Sequence, residues 1–303
     1  MPEEQIDESI ATQWIYPFGP GLAEITNPPG KDLLGGKGAS LAAMCDADLP
    51  VPPGFTITTE CCRAFFDEGK KWPKTLEAEI RKHLEDLEKS TGRSFGKGKD
   101  PLLVSVRSGA AVSMPGMMDT LLNCGLHPDL AEELGNPPEF WSVYTQFILM
   151  FAHTVEDIPE DDFGASGDGD KADRQSVDRC LEIYAKKAGR PFPTDPWQVL
   201  CECISAVFNS WHSERAITYR QRNDIRGIIG TAVNVQVMYP SQISGILFTQ
   251  DPNDLASERL VLESSYGLGE AVVSGNVTPD RFMVPRNDFT AYDSFLGEKS
   301  HQI

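Results

Sequence analysis

The hydrophobic pattern changes period once along this chain, at Gly230, and no other feature narrows the possible folds as much. Upstream, residues 76–89, 140–155, 176–188, 196–211 and 214–222 carry apolar side chains at helical spacing. In 76–89, Leu76, Ile80, Leu84 and Leu87 form one stripe and the charges form a solvated face. Downstream, TAVNVQVMY, SGILFTQDP, RLVLESSYG, DRFMVP and FTAYDSFLG are β-branched or alternating runs separated by turn residues. Such a chain is predicted to be α+β. Its parts are a mixed N-terminal segment over 1–110, a mostly helical insertion over 111–200, and a helix followed by a strand-rich lobe over 201–303.

Local signals fill in this outline. Residues 14–34 are rich in Gly and Pro and read as a loop. Gly35, Gly36 and Gly38 then surround Lys37, and Leu41, Met44, Cys45 and Leu49 follow at helical spacing, so the loop opens into a helix. Three prolines keep 49–58 extended, after which Thr58 or Thr59 can cap the helix TECCRAFFDEG. LLVSVR, ending in Arg107, is a short strand feeding the Gly-containing stretch SGAAVSMPGMMDT. Residues 157–173 hold seven acidic residues against one Lys, with three glycines, and read as a solvated linker or mobile loop.

Composition excludes several classes of function. The formal net charge of −18 leaves no general basic surface for nucleic acid. The first ten residues, MPEEQIDESI, lack the basic start and apolar stretch of a secretory signal, which predicts a cytoplasmic protein. The longest apolar run, 147–152, falls far short of the roughly 18 residues a membrane span needs. Seven cysteines without a C-x-x-C pair or zinc-ligand spacing predict free thiols that act as small buried apolar groups.

The GGKG turn is the first candidate for chemistry. Glycines let backbone N–H groups approach an anion, the following helix adds a positive dipole end, and Lys37 supplies a full charge. It is not a Walker loop, since Gly38 stands where Ser or Thr is required, and a helix-start turn with an exposed Lys is the plainer alternative. Arg107, at the end of an apolar strand, can be held rigidly to bind a phosphate with two hydrogen bonds, or can serve a structural salt bridge. YGLGEAVVSG fails the dinucleotide pattern at Val272. Glu263 and Glu270, beside glycines, are acidic candidates for a ribose hydroxyl or a metal. Five scattered histidines form no catalytic signature.

Taken together, LLGGKGASLAAM, LPVPPGFTITTECCRAF, LLVSVRSGAAVSMPGMMDTLLNCGL, FPTDPWQVLCECISAVFNSWHSERAITYR and GTAVNVQVM resemble the N-terminal nucleotide-binding part of the pyruvate, phosphate dikinase family. SGILFTQDP and SSYGLGEAVVSGNVTPDRFMV are more similar to the sister phosphoenolpyruvate synthases. The resemblance implies an ATP-grasp fold, with an inserted helical subdomain, whose two lobes hold ATP while a phosphoryl group passes to a histidine on a separate swivelling domain. It implies that Lys37 and Arg107 hold the triphosphate, as catalytic and ATP-binding residues. The loop 108–120, with Gly116, Asp119 and Thr120, would cover it. Gln236 and Met238 would run along the adenine pocket, and Thr249 and Glu270 would face the nucleotide.

The closing D-x-E and L-Q-[ST]-R segments that the resemblance implies for magnesium and phosphate binding are not found in the last part of the sequence, which runs through LGEKSHQI to Ile303. The second lobe is therefore predicted to be incomplete, with most ligands for Mg2+ beyond residue 303 and no metal ligand assigned within it. Partner domains that carry the phosphohistidine and bind pyruvate are expected elsewhere in a full-length enzyme. The chain by itself, expected to be a monomer, would show no net turnover and weak or absent ATP affinity. The implied activity is formation of phosphoenolpyruvate from pyruvate and ATP. Alternatives are a phosphoenolpyruvate synthase (pyruvate, water dikinase), a phosphotransferase for a glucan or antibiotic, and a non-catalytic nucleotide-binding module.

Overall fold

Two alternating stretches, VSVRSGA and TAVNVQV, pair over seven register positions, from Val104 opposite Val237 to Ala110 opposite Thr231. Valines at every second position send one face into the core and leave the polar residues on the other. The structure, a computed structural model, describes residues 13–22, 28–114, 120–137, 139–167, 172–275, 277–290 and 293–298. The chain divides into two compact units, 1–238 and 239–303.

The first unit contains a five-stranded antiparallel sheet in the order β1-β2-β5-β3-β4. These strands are β1 (Ile15–Phe18), β2 (Gly54–Ile57), β3 (Val104–Ala110), β4 (Thr120–Cys124) and β5 (Thr231–Val237). Helix α1 (Lys31–Asp46) lies over one face, against β1, β2, β3 and β5. The other face carries Phe55, Ile57, Val104, Val106, Leu121, Val233 and Val235 into the main core. That core is closed by α2 (Thr59–Asp67), α3 (Leu76–Thr91), α5 (Phe140–Glu156), α6 (Arg174–Ala188) and α7 (Pro196–Ser210), while α4 (Leu130–Glu133) and α8 (Glu214–Arg222) flank it.

Helix ends follow local chemistry. The Thr58 hydroxyl accepts from the Cys61 N–H and starts α2, Asp173 accepts from Ser176 N–H to start α6, and Asp195 with Pro196 starts α7. In α3 the buried residues are Leu76, Ile80, Leu84 and Leu87, the stripe read from the sequence. The second unit is a four-stranded antiparallel sheet of β6 (Ile243–Phe248), β7 (Arg259–Tyr266), β8 (Asp280–Pro285) and β9 (Asp293–Phe295), with α9 (Glu270–Ser274) against β6 and β7.

The structure corrects four readings. The strand at 231–237 does not group with the later strands: it is the middle strand of the first unit's sheet, because its apolar face belongs to the helical core. Residues 120–124, placed in a mostly helical segment, form β4 on the edge of that sheet. Ile15–Phe18, inside the Gly- and Pro-rich stretch, is a strand paired with β2. The acidic segment is not a solvated linker where it is described. Glu160–Gly167 forms a 3-10 turn, Phe163 is 2% exposed within the core, and Asp162 pairs with Lys187 at 2.9 Å. One buried aromatic outweighs the polarity of its neighbours.

All seven cysteines are free, and five are fully buried. Burial pushes the thiols of Cys62 and Cys180 up to about 12 and about 11, so they behave as apolar filling. Among the described residues no helix is long and apolar enough to cross a membrane. Phe163→Ala is expected to destabilise the chain by about 3 kcal/mol or more and to open 157–173 to proteolysis. A change below about 0.5 kcal/mol in denaturant unfolding, as for a surface position, would return the segment to a solvated linker.

Candidate functional site

Following the register across the first sheet gives one polar row in a structure whose opposite face is apolar. Tyr16 is opposite Thr56, Thr56 opposite Asn234, Asn234 opposite Arg107, and Arg107 opposite Thr120. Side chains of directly opposed residues stand on the same face about 5 Å apart. Arg107 is thus held between Asn234 and Thr120 on the face that α1 covers. Gln236 and Ser105, also opposite each other, form part of the next row.

The GGKG turn meets this face at the start of a helix. Helix α1 consists of two helical pieces joined by a kink at Gly35, where φ is 68° and ψ is 170°, a region open essentially to glycine alone. A Cβ at Gly35 would also lie 1.6 Å from the Gly109 carbonyl oxygen of β3. This close approach seats the second helical piece, from Gly36 onward, on β3 and β5. Its first turn carries Lys37 and N–H groups without intrahelical acceptors. Gly109 lies under Lys37, whose Cβ is 3.6 Å from where a Gly109 Cβ would stand.

Lys37 and Arg107 are thereby brought close enough to repel. Burial, and then the charge of Arg107, hold the Lys37 ammonium below the usual lysine value. The Lys37 side chain still reaches solvent, so the desolvation is partial. Two cations thus lie near one another at the start of a helical piece, an arrangement suited to a polyanion.

The other residues named from the sequence are placed as follows. Thr120 begins β4 as the register neighbour of Arg107. Gln236, half-buried in β5, donates from Nε2 to the Pro52 carbonyl at 3.0 Å. The Met238 N–H donates to the Leu103 carbonyl at 2.9 Å, beyond the end of β5. Gly116 and Asp119 lie outside the described residues. Thr249 and Glu270 belong to the second unit. Thr249 is exposed, and its carbonyl accepts from Arg286 Nη2. Glu270 is exposed at the first position of α9. Glu263 is engaged by its cross-strand neighbour Arg281, whose Nε donates to it at 2.9 Å, so a structural ion pair replaces the ribose or metal role considered for it.

Two site residues escaped the sequence reading, Asn234 and Thr56. Both are 1% exposed, and the Thr56 hydroxyl donates to Asn234 Oδ1 at 2.9 Å. The signal was present in V-N-V-Q-V, whose strict alternation puts Asn234 and Gln236 on the face opposite the valines. Among the described residues no group of three or more His, Cys, Asp or Glu side chains converges as a metal site.

An arginine on a sheet face beneath a helix start that carries a lysine is the arrangement of an anion-binding α+β protein. The family model described as the pyruvate phosphate dikinase AMP/ATP-binding domain matches residues 31–89 and 68–303, and the chain belongs to that family. It is 40% identical over 294 residues to the pyruvate, phosphate dikinase of Rhizobium meliloti, a match covering 88% of this chain and 32% of that protein. It is 41% identical over 309 residues to the chloroplastic pyruvate, phosphate dikinase 1 of Zea mays, covering 93% and 32%. Against the pyruvate, phosphate dikinase of Clostridium symbiosum it is 36% identical over 313 residues, covering 94% and 35%. The chain spans about a third of the length of these curated relatives.

The lowered value at Lys37 has a stability consequence. The fold disfavours the charged amine, so the cost is present below the lowered pKa and is lost as pH rises through it. Lys37→Met is therefore expected to melt no lower than wild type near neutrality, with any gain shrinking in alkaline buffer. A melting temperature several degrees lower at neutral pH would make Lys37 a structural residue.

Proposed function

We propose that this chain is the ATP-binding portion of a dikinase that phosphorylates a catalytic histidine on a separate domain, on the way from pyruvate to phosphoenolpyruvate. The observation that carries this reading is the convergence of Lys37 and Arg107 at a helix start. Phosphoryl transfer asks of a protein mainly that it position the phosphates and neutralise developing charge. Lys37 acts as a point charge and Arg107 as a two-pronged donor to the triphosphate.

The curated relatives reported above are all named pyruvate, phosphate dikinase, which favours phosphate over water as the second acceptor. An ATP-grasp arrangement is proposed on the family likeness, as are adenine contacts at Gln236 and Met238, contacts from the loop that holds Gly116, Asp119 and Thr120, and nucleotide-facing roles for Thr249 and Glu270. ATP would arrive with magnesium, to which no side chains of this chain are assigned.

Titration calorimetry with ATP tests the reading. The chain is expected to bind weakly but saturably. Arg107→Ala is expected to weaken binding about 10- to 150-fold, the equivalent of one charge-assisted contact at about 1.5–3 kcal/mol, while keeping the wild-type circular dichroism. No saturable binding by the wild type, or equal affinity in the variant, would contradict it.

A further inference from the structure

Away from the polar row, the end of α8 folds back on itself around a cavity. The helix stops at Arg222, and Asp224 takes a left-handed conformation with φ 49°. The chain then turns back, and the Ile225 N–H donates to the Arg220 carbonyl at 2.9 Å. Asp224, Ile225 and Arg226 line an open cavity of about 390 Å³ together with Ile217, Arg220 and Gln221 from the last turns of the helix. That volume lies within the range of small-molecule sites.

Arg220 gives this cavity its chemistry. Its Cζ lies 3.8 Å from the centroid of the Trp211 ring, and Trp211 is 5% exposed, so a fixed indole holds the guanidinium. Stacking uses the face of the group, whereas its N–H donors lie in the plane and are not spent by it. Among the described residues, the buried Nη1 of Arg220 has no hydrogen-bond partner and Arg220 enters no ion pair. Asp224, the acid of the cavity, is taken by Arg226, whose Nε donates to it at 2.7 Å. Those two charges offset each other, and the charge left in the cavity wall is that of Arg220. Burial holds the guanidinium below the usual arginine value. A partly buried charge without a carboxylate costs stability, and an oxyanion in the cavity would offset that cost.

We propose that this cavity is a binding site for a small molecule bearing an oxyanion, a phosphate or a carboxylate group, with Arg220 as the charged contact. Trp211 is the platform that fixes the guanidinium, whose fork can meet two oxygens of such a group at once. Ile217 and Ile225 supply apolar wall, and Gln221 adds a side-chain amide to the lining. The site uses none of the residues in the row of Lys37 and Arg107, and it is independent of the nucleotide reading.

An NMR titration of the isotopically labelled chain tests this by following the Trp211 indole N–H, assigned by its loss in Trp211→Phe. The probes are inorganic phosphate and acetate, with chloride at matched ionic strength as the control. A saturable shift is expected with phosphate, acetate or both, and the anion that saturates at the lower concentration names the group recognised. Arg220→Gln is expected to raise that midpoint at least about tenfold. Lys37→Met, altered at the other site, is expected to keep the wild-type midpoint. No saturation by either anion, equal saturation by chloride, an unchanged midpoint in Arg220→Gln, or loss of the response in Lys37→Met overturns the proposal.

Should circular dichroism show that Arg220→Gln does not fold, Ile217→Phe decides. It keeps both arginines and narrows the cavity. A raised midpoint in a folded Ile217→Phe chain supports the site, and the wild-type midpoint there overturns it.

Discussion

The antiparallel pairing of β3 with β5 joins segments 122 positions apart at the Gly109–Thr231 contact, and its register decides which side chains can meet. With Arg107 opposite Asn234, all the valines of both strands face the helical core. A slip of one residue would exchange the faces and bury the guanidinium among Phe55, Val233 and the helices behind them, at a cost no local contact could offset. The hydrophobic core thus fixes the position of the arginine before any ligand is present. The kink at Gly35, possible only where no Cβ stands against the Gly109 carbonyl, then sets Lys37 over the same strand.

How much of this was legible in the sequence depended on whether the signal was local. Helices with clean stripes or caps, such as α3 and α7, could be bounded to within a residue or two, because their apolar periodicity and capping residues lie within a few positions of each other. Strand membership was harder. The alternation of 231–237 identified a strand and even its polar face, yet nothing local says that its neighbours are 54–57 and 104–110 rather than the strands that follow it. Short edge strands such as 15–18 and 120–124 were hidden by the glycines, prolines and leucines around them. In the acidic stretch, the burial of Phe163 was invisible to composition. At the site, Lys37 and Arg107 were legible as charged groups beside glycines and a strand end. Asn234 was not, since a buried amide matters only through what the register places next to it.

The site also works against the stability of the protein that holds it. Two cations are set close together, one with a lowered pKa, on a sheet face that also holds a buried amide whose Nδ2 finds no partner among the described residues, and Lys37 follows a backbone conformation essentially reserved for glycine. Cations gathered at one place are the kind of arrangement that the proposed nucleotide role would use, since a bound anion would offset their mutual repulsion. The valine face and the helices behind it supply the stability that the polar face lacks.

The central claim is that Lys37 shares one anion with Arg107. Its most direct test is an NMR titration of the Lys37 ammonium, with isotopically labelled lysine, in the free chain and at saturating ATP. The account predicts a value below that of ordinary lysines in the free chain, and a rise when the triphosphate offsets the Arg107 charge. An ordinary value that ATP leaves unmoved would contradict it.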